Sequence, residues 1–342
     1  MLSPVAAAAS WWRRGSISAT VIVPTHRGAT VIGALLDSLE HQAASHELIV
    51  VDNASVDGTS EILAARGIEA IRPDRNLGFG AAVNLAARRA QGDALVLVND
   101  DSVCDPGFVE VLSRALDPAR GIVMAAGVLR EARDESLIDT AGMELDRTLL
   151  VFDYLNGEPV EVLDRGVADP MGPCGAAAAF DRTTFLDAGG FDEALFAYWE
   201  DVDLVLRLRE AGGRCVLVPD ARGTHLHSTT LGSASTAKNA LVGFGRGYVL
   251  RKWSVLSPSR FPGVLIRDGA LCLGQALIDR NLAASTGRVR GWRAAAAKRP
   301  YPRDAIAAGH KPGAVLTLAR RLRRRRRLRS PVAASRPDGE SG

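Results

Sequence analysis

Short apolar runs and helical stripes alternate along residues 20–101. Thr20-Val21-Ile22-Val23 is rich in β-branched residues and is stopped by Pro24-Thr25, which predicts a strand. Val31, Leu35, Leu36 and Leu39 then recur at helical spacing. Glu47-Leu48-Ile49-Val50-Val51 is a second apolar run, ending in the polar turn Asp52-Asn53-Ala54-Ser55-Val56-Asp57-Gly58-Thr59. A helix bearing Ile62 and Leu63 follows, then a weak strand at Ala70-Ile71-Arg72. Asn76-Leu77-Gly78-Phe79-Gly80 opens the next helix. Leu95-Val96-Leu97-Val98 closes the series and runs straight into Asn99-Asp100-Asp101. Wholly apolar strands alternating with helices predict right-handed βαβ units and a parallel sheet.

Ligands of open α/β sheets bind beyond the C-terminal ends of the strands, so polar residues there are the first candidates for chemistry. The adjacent carboxylates of Asp100 and Asp101 repel each other unless something positive compensates. A divalent cation does so and leaves positions open for water and phosphate oxygens. The competing reading is a solvated Asp-Asp turn. Asp52 can accept hydrogen bonds from a base or ribose, or simply form the turn. Gly78 and Gly80 permit close backbone approach near a helix start, where anions are favoured. Asn84 lies on that helix, within reach of ligand or backbone.

Tyr198-Trp199-Glu200-Asp201-Val202-Asp203 places three acids at the start of an amphipathic helix carrying Leu204, Leu206 and Leu208. Acids in a first turn complement the helix dipole, and Asp203 fits that role alone. A carboxylate crowded by a second one and by Trp199 has a raised proton affinity, which suits a general base. Tyr198 and Trp199 can stack on a sugar face or pack inside. In His225-Leu226-His227 the imidazoles lie two residues apart and share one side of an extended segment.

Together these segments resemble the family 2 glycosyltransferases of the GT-A fold, in particular the rhamnosyltransferase-like members. Val23-Pro24-Thr25 is similar to that family's first-strand signature, and residues 51–59 to its nucleoside-binding turn. Residues 75–84 resemble its middle motif. Asn99-Asp100-Asp101 stands at the DxD-type metal motif, with Asn in place of the first Asp. Residues 188–193 and 198–204 resemble the acceptor-side loop and the catalytic-base segment. The resemblance runs from about residue 20 to residue 253.

The resemblance implies an α/β, Rossmann-like GT-A fold, with a mainly parallel central sheet flanked by helices; the basic, helically spaced segment beyond it adds an expected C-terminal appendage. It implies sugar transfer with inversion, supported by Mn²⁺ or Mg²⁺. Asp101 and His225 are the expected metal ligands, with His227 the alternative. Donor contacts are expected from Pro24, Thr25, Asp52, Asn76, Gly78, Asn84, Asn99, Asp100 and Arg246. Asp201 is the expected base, with Glu200 as neighbour and alternative. Trp199 and Tyr198 are the expected acceptor contacts. Rhamnose is the first expectation for the donor sugar; galactofuranose, mannose and hexosamines stay open. The expected organisation is an extension at 1–17 and a catalytic domain at 18–255. That domain divides into a nucleotide-binding half at 18–101 and an acceptor half at 102–255. A basic helical region at 256–329 and a disordered tail at 330–342 follow.

Composition narrows this picture. The four cysteines, Cys104, Cys174, Cys215 and Cys272, form no CxxC pair, which suits a reducing compartment and argues against zinc. Residues 1–10 are weakly apolar, but Arg13 and Arg14 follow rather than precede them, unlike a signal peptide. No run reaches the roughly 18 apolar residues of a membrane span. The expected location is the cytoplasm, peripheral to the inner face of the membrane. Net charge is only +3, yet residues 287–329 carry fifteen Lys or Arg against the single acid Asp304. Val315, Leu318, Ala319 and Leu322 have helical spacing just before an arginine run. A basic amphipathic tail predicts contact with anionic lipid, while a solvated tail or nucleic-acid binding is the alternative. The expected partners are a nucleotide-diphosphate sugar and a glycan or lipid-linked acceptor, with nucleic acid disfavoured. Two other classes compete: a sugar-phosphate nucleotidyltransferase and a non-catalytic glycan-binding protein of the same fold. The first would want a basic glycine-rich loop after strand one, which Pro24-Thr25-His26-Arg27-Gly28 supplies poorly. The second would have no need of both acid clusters.

Overall fold

The computed structural model describes residues 19–226, 235–278, 280–297 and 299–308. The expected N-terminal extension, His227, the amphipathic stretch at 315–322, the arginine run and the tail at 330–342 lie outside the described residues.

Eight strands form one mixed sheet, ordered Glu47–Asp52, Ala19–Thr25, Ala94–Val98, Ala177–Asp181, Ile122–Glu131, Arg214–His225 and Ser102–Cys104, with Asp134–Thr140 paired on Ile122–Glu131. β1 (Ala19–Thr25), β2 (Glu47–Asp52) and β3 (Ala94–Val98) are the first three apolar runs. They pair parallel, as the alternating pattern predicts. The weak strand expected near Ile71 is reduced to one bridge with Val51. β4 (Ser102–Cys104), β5 (Ile122–Glu131) and β6 (Asp134–Thr140) follow. β7 (Met143–Leu145) and β8 (Val151–Asp153) form a separate small sheet. β9 (Ala177–Asp181) runs antiparallel between β3 and β5, and β10 (Arg214–His225) runs parallel to β5. Thus β1, β2, β3, β5 and β10 share one direction, and β4, β6 and β9 are reversed.

Side chains of the central strands feed two cores, one on each face. Ile22, Leu95 and Leu97 enter one core, and Val21, Val23, Val96 and Val98 enter the other. That is the period-two alternation of a strand buried on both sides. Each such side chain contributes about 1.5–3 kcal/mol by leaving water. Helices cover both faces: α1 (Ile32–Glu40), α2 (Thr59–Ala65), α3 (Phe79–Ala87), α4 (Phe108–Arg114), α5 (Arg182–Asp187) and α6 (Glu200–Glu210). α7 (Thr236–Lys252), α8 (Phe261–Ile278), α9 (Ala283–Ala294) and α10 (Arg303–Ala308) complete the described chain. Among the described residues no helix is long and apolar enough to cross a membrane.

α7 and α9 meet backbone to backbone. A Cβ at Gly243 or Gly247 would overlap carbonyl oxygens of Ala284 or Arg288. One at Gly287 or Gly291 would overlap those of Ala240 or Phe244. Four small positions at i, i+4 spacing on two helices thus fuse the C-terminal helices to the domain.

Asp203 does more than complement a helix dipole. Its fully buried carboxylate accepts hydrogen bonds from Arg207 Nε (2.9 Å) and Trp253 Nε1 (2.9 Å), and pairs with Lys252 Nζ (2.8 Å). It joins α6 to the end of α7. Asp203→Ala leaves buried cations without their counter-charge, at a cost of about 3–5 kcal/mol. The urea midpoint of the variant should fall accordingly, and an unchanged midpoint would remove Asp203 from this role.

Candidate active site

The sheet brings the candidate residues to one edge by register. Thr25, at the end of β1, stands opposite Asp52, at the end of β2. β3 ends at Val98, so Asn99, Asp100 and Asp101 emerge at the same edge. β10 then pairs antiparallel with β4, setting His225 opposite Ser102 and therefore beside Asp101. The Leu226 N–H donates to the Asp101 carbonyl (2.7 Å) and fixes this closure.

Asp101, His225 and Asp139 form a chain. His225 Nε2 lies 3.2 Å from Asp101 Oδ1, and Nδ1 lies 2.8 Å from Asp139 Oδ2. Burial disfavours the charged imidazole, but the hydrogen bonds and charges of the two carboxylates outweigh it and push its pKa up to about 9. Asp100 points differently and accepts from the Thr25 hydroxyl (2.6 Å). Burial pushes its carboxyl up to about 6; the Thr25 bond opposes that and the Asp101 charge adds to it. Gly28 packs against Thr25 and Asp100 with no room for a Cβ. A carboxylate and an imidazole brought together in this way suit a divalent cation whose other positions go to phosphate and water oxygens. Among the described residues no three His, Cys, Asp or Glu side chains form a complete ligand cluster.

The acid pair opens α6. Trp199 and Tyr198 both take left-handed backbone conformations (φ 78° and 67°), which turn the chain sharply into the helix. Glu200 is buried, with Oε2 lacking a hydrogen-bond partner, whereas Asp201 is half-buried and accepts from the Val202 N–H (2.8 Å). Burial, and then the Asp201 charge, raise Glu200 well above the usual carboxylate range. Burial also raises Asp201, against hydrogen bonds from the backbone of Val202 and Gly175. The two clusters are linked through β6. Asp139 holds His225, while the next residue, Thr140, reaches Cys174 Sγ at 3.6 Å, beside Gly175.

Several of the candidate donor and acceptor residues are engaged by other parts of the protein. Arg246 has no exposed surface; it is clamped by Asp268 (3.0 and 2.8 Å) beneath the Trp199 ring. Its charge is spent there rather than on a diphosphate. Trp199 is buried and donates its indole N–H to the Val242 carbonyl (3.0 Å), so it packs rather than stacks on a sugar. Tyr198 stays half-buried, with Lys238 5.6 Å from its ring centre. The Asn84 amide is occupied by the backbone of Phe191 (2.8 and 2.9 Å) and by Glu193 (3.0 Å), pinning the 188–193 loop to α3. Asp52 is buried and accepts from the Ser55 N–H (2.9 Å), the Ser60 hydroxyl and Arg72 (both 2.5 Å). Burial would raise its pKa, but the bonds to Ser55 and Ser60 and the Arg72 charge together lower it. Asn76 accepts from the Gly78 N–H (2.8 Å), and Gly78 takes φ 87°. Pro24 is buried within β1, and Asn99 is half-buried at the edge.

Residues 20–142 match the family described as glycosyl transferase family 2. A relative from Mycobacterium tuberculosis, N-acetylglucosaminyl-diphospho-decaprenol L-rhamnosyltransferase, is 31% identical over 220 residues, covering 55% of this chain and 69% of the relative. The chain belongs to glycosyl transferase family 2. This glycosyltransferase also shares its fold with a mannosyltransferase from Pyrobaculum calidifontis solved with GDP-Man and Mn²⁺. The TM-score is 0.50 at 20% identity, over 92% of this chain and 85% of the other. GalNAc-T7, solved with UDP, GalNAc and Mn²⁺, aligns with a TM-score of 0.56 at 15% identity, over 82% of this chain and 55% of that one. These are GT-A folds, and the central sheet matches theirs.

Asp139 had no signal in the glycosyltransferase sequence. It sits in β6, far along the chain from His225, and only the fold joins them. A metal-bound imidazole must be neutral, so a cation entering here displaces the His225 proton. Mn²⁺-dependent affinity for nucleoside diphosphates should therefore rise with pH between about 6 and about 9, read by calorimetry. An affinity flat across that range would remove His225 from the ligand set. Asp139→Asn should weaken the same affinity about tenfold or more by loosening the ring. Asp101→Ala should abolish the metal dependence, and full Mn²⁺-dependent binding in that variant would overturn its assignment.

Proposed function

We propose that the protein is a metal-dependent, inverting glycosyltransferase. It moves a sugar from a nucleotide-diphosphate donor to a glycan or lipid-linked acceptor in cell-envelope polysaccharide synthesis. The observation that carries this reading is the joining of two clusters across β6. One, Asp101 with His225, suits a diphosphate and its cation; the other, Glu200 with Asp201, suits proton transfer. The names of relatives support the setting. One acts on a diphospho-decaprenol-linked sugar, and an O-antigen biosynthesis protein of Myxococcus xanthus is 27% identical over 64% of this chain and 18% of its own length. Rhamnose is the favoured donor sugar on the first of these.

Asp101 and His225 would hold Mn²⁺ or Mg²⁺, which supplies charge neutralisation for the departing diphosphate. The chain's own residues do the rest. The edge formed by Thr25, Asn76, Gly78, Asn99 and Asp100 receives the nucleotide sugar, within a nucleotide half at 18–101. Asp52 shapes the nucleoside turn from beneath. The acceptor enters from the 102–255 half, past Tyr198. Asp201, the more open carboxylate of the pair, takes the proton of the acceptor hydroxyl. The hydroxyl oxygen bonds to the anomeric carbon from the face opposite the diphosphate. The old C–O bond breaks, and its electron pair leaves with the phosphate. Glu200 keeps the neighbourhood short of solvent and raises the proton affinity of the pair. The C-terminal region is proposed to bring the enzyme to the cytoplasmic membrane face, where a lipid-linked acceptor resides.

Asp201→Asn should lower kcat by about 10²-fold or more while leaving donor affinity intact. The parent's acid limb should lie above the ordinary carboxylate range, because activity is lost as pH falls through the raised value of the base. Near-normal turnover in Asp201→Asn, with collapse in Glu200→Gln, would transfer the role to Glu200.

A further inference from the structure

Apolar exposure in this protein is concentrated in one place. Ten large hydrophobic residues stand markedly exposed among the described residues, and seven of them fall between 261 and 289. Scattered exposed apolar residues are ordinary, whereas a contiguous set marks an interaction surface. α8 carries the densest part: Leu265 (59% exposed), Ile266 (71%), Leu273 (61%) and Leu277 (70%). At about 100° per residue these side chains, with Ala270, span an arc of roughly 140° on one side of the helix. Val264 and Asp268 lie on the opposite side and are buried.

The orientation of that arc is fixed. Asp268 sits between Arg246 of α7 (3.0 and 2.8 Å) and Arg288 of α9 (3.1 Å). Arg267 pairs with Asp146. The charged residues at the middle of α8 are thus tied to the protein body. The helix cannot turn its leucines inward without breaking buried ion pairs, and it cannot cross a bilayer with those charges. It can lie along one.

We propose that α8 is an in-plane membrane helix, whose apolar arc embeds in the interface of an anionic bilayer. Charge selects this occupant. Beside the arc, Arg280, Arg290 and Arg293 are exposed, intermixed with exposed Leu282 and Val289. Residues 287–329 carry a local charge of +14, fifteen basic residues against Asp304. A second copy docking on this face would set these exposed arginines against their own kind, whereas anionic lipid headgroups neutralise them. Apolar residues ringed by arginine are the composition of an interfacial helix. This inference deepens the membrane reading above and adds the element that gives depth, since arginines alone give only salt-sensitive attraction.

The test uses the full chain with phosphatidylglycerol/phosphatidylcholine vesicles. The parent should sediment with them at low salt and keep a substantial bound fraction at 0.5–1 M salt, about where screening is nearly complete. The variant Leu265→Gln/Ile266→Gln/Leu273→Gln/Leu277→Gln should lose at least about tenfold in vesicle affinity at high salt. Its donor hydrolysis should match the parent's, because the four residues are exposed and none belongs to the proposed donor or acceptor machinery. Failure of the sugar-transfer reading would appear in donor hydrolysis, and failure of this one in vesicle binding. Equal high-salt binding by parent and variant overturns the proposal. So does a parent that is dimeric in solution and a variant that is monomeric with unchanged vesicle affinity. Leu273→Trp provides a reading that needs no disruptive variant. Its added fluorescence should be quenched by brominated lipid, and absence of that quenching overturns the proposal too.

Discussion

Two carboxylates share one imidazole, and much of the fold exists to make that arrangement possible. Asp101 and Asp139 are both buried, where a positive neighbour favours the charged carboxylate. His225 supplies it, and reaches it only because β10 runs long. That strand carries an irregularity between Leu217 and Arg222, then continues far enough to pair with both β5 and β4. A shorter β10 would leave the histidine in a loop, away from both acids. The raised proton affinity of His225 follows from this geometry.

Side-chain amides fasten the loops around the sheet edge. Asn53 donates to the Gly78 carbonyl (3.0 Å) and accepts from the Leu77 N–H (2.8 Å), holding the glycine loop against the first turn. Asn84 does the same for the loop that precedes α6. Neutral amides satisfy buried backbone groups without the desolvation cost of an ion. The charged residues can then be reserved for the sheet edge and for the acids of α6.

The early strands and α6 were legible because their patterns are local: uniform apolar runs, helical leucines, acids at a helix start. β9 was not. Ala177-Ala178-Ala179-Phe180 lacks the β-branched residues that mark a strand, and it is held by neighbours on both sides rather than by propensity. The same limit governs the site. Asp101, His225, Glu200 and Asp201 stand where strand ends and a helix start predict them. Arg246 and Trp199 were expected to face ligand, and their burial depends on Asp268, which lies outside the recognisable motifs. Asp203 read as dipole chemistry because its partner Trp253 is remote in sequence. Asp139 gave no local sign at all.

β6 has a further consequence, for how the chain can change over evolutionary time. Asp139 and Thr140 are consecutive, at an irregularity in the pairing of β6 with β5, and their side chains reach different groups. One serves the histidine and the other the cysteine beside the acid pair. Displacing this pair along the strand would therefore disturb two neighbourhoods at once, the imidazole and the cysteine beside the acid pair. Length variation within β6 itself should therefore be selected against more strongly than in the turn that precedes it.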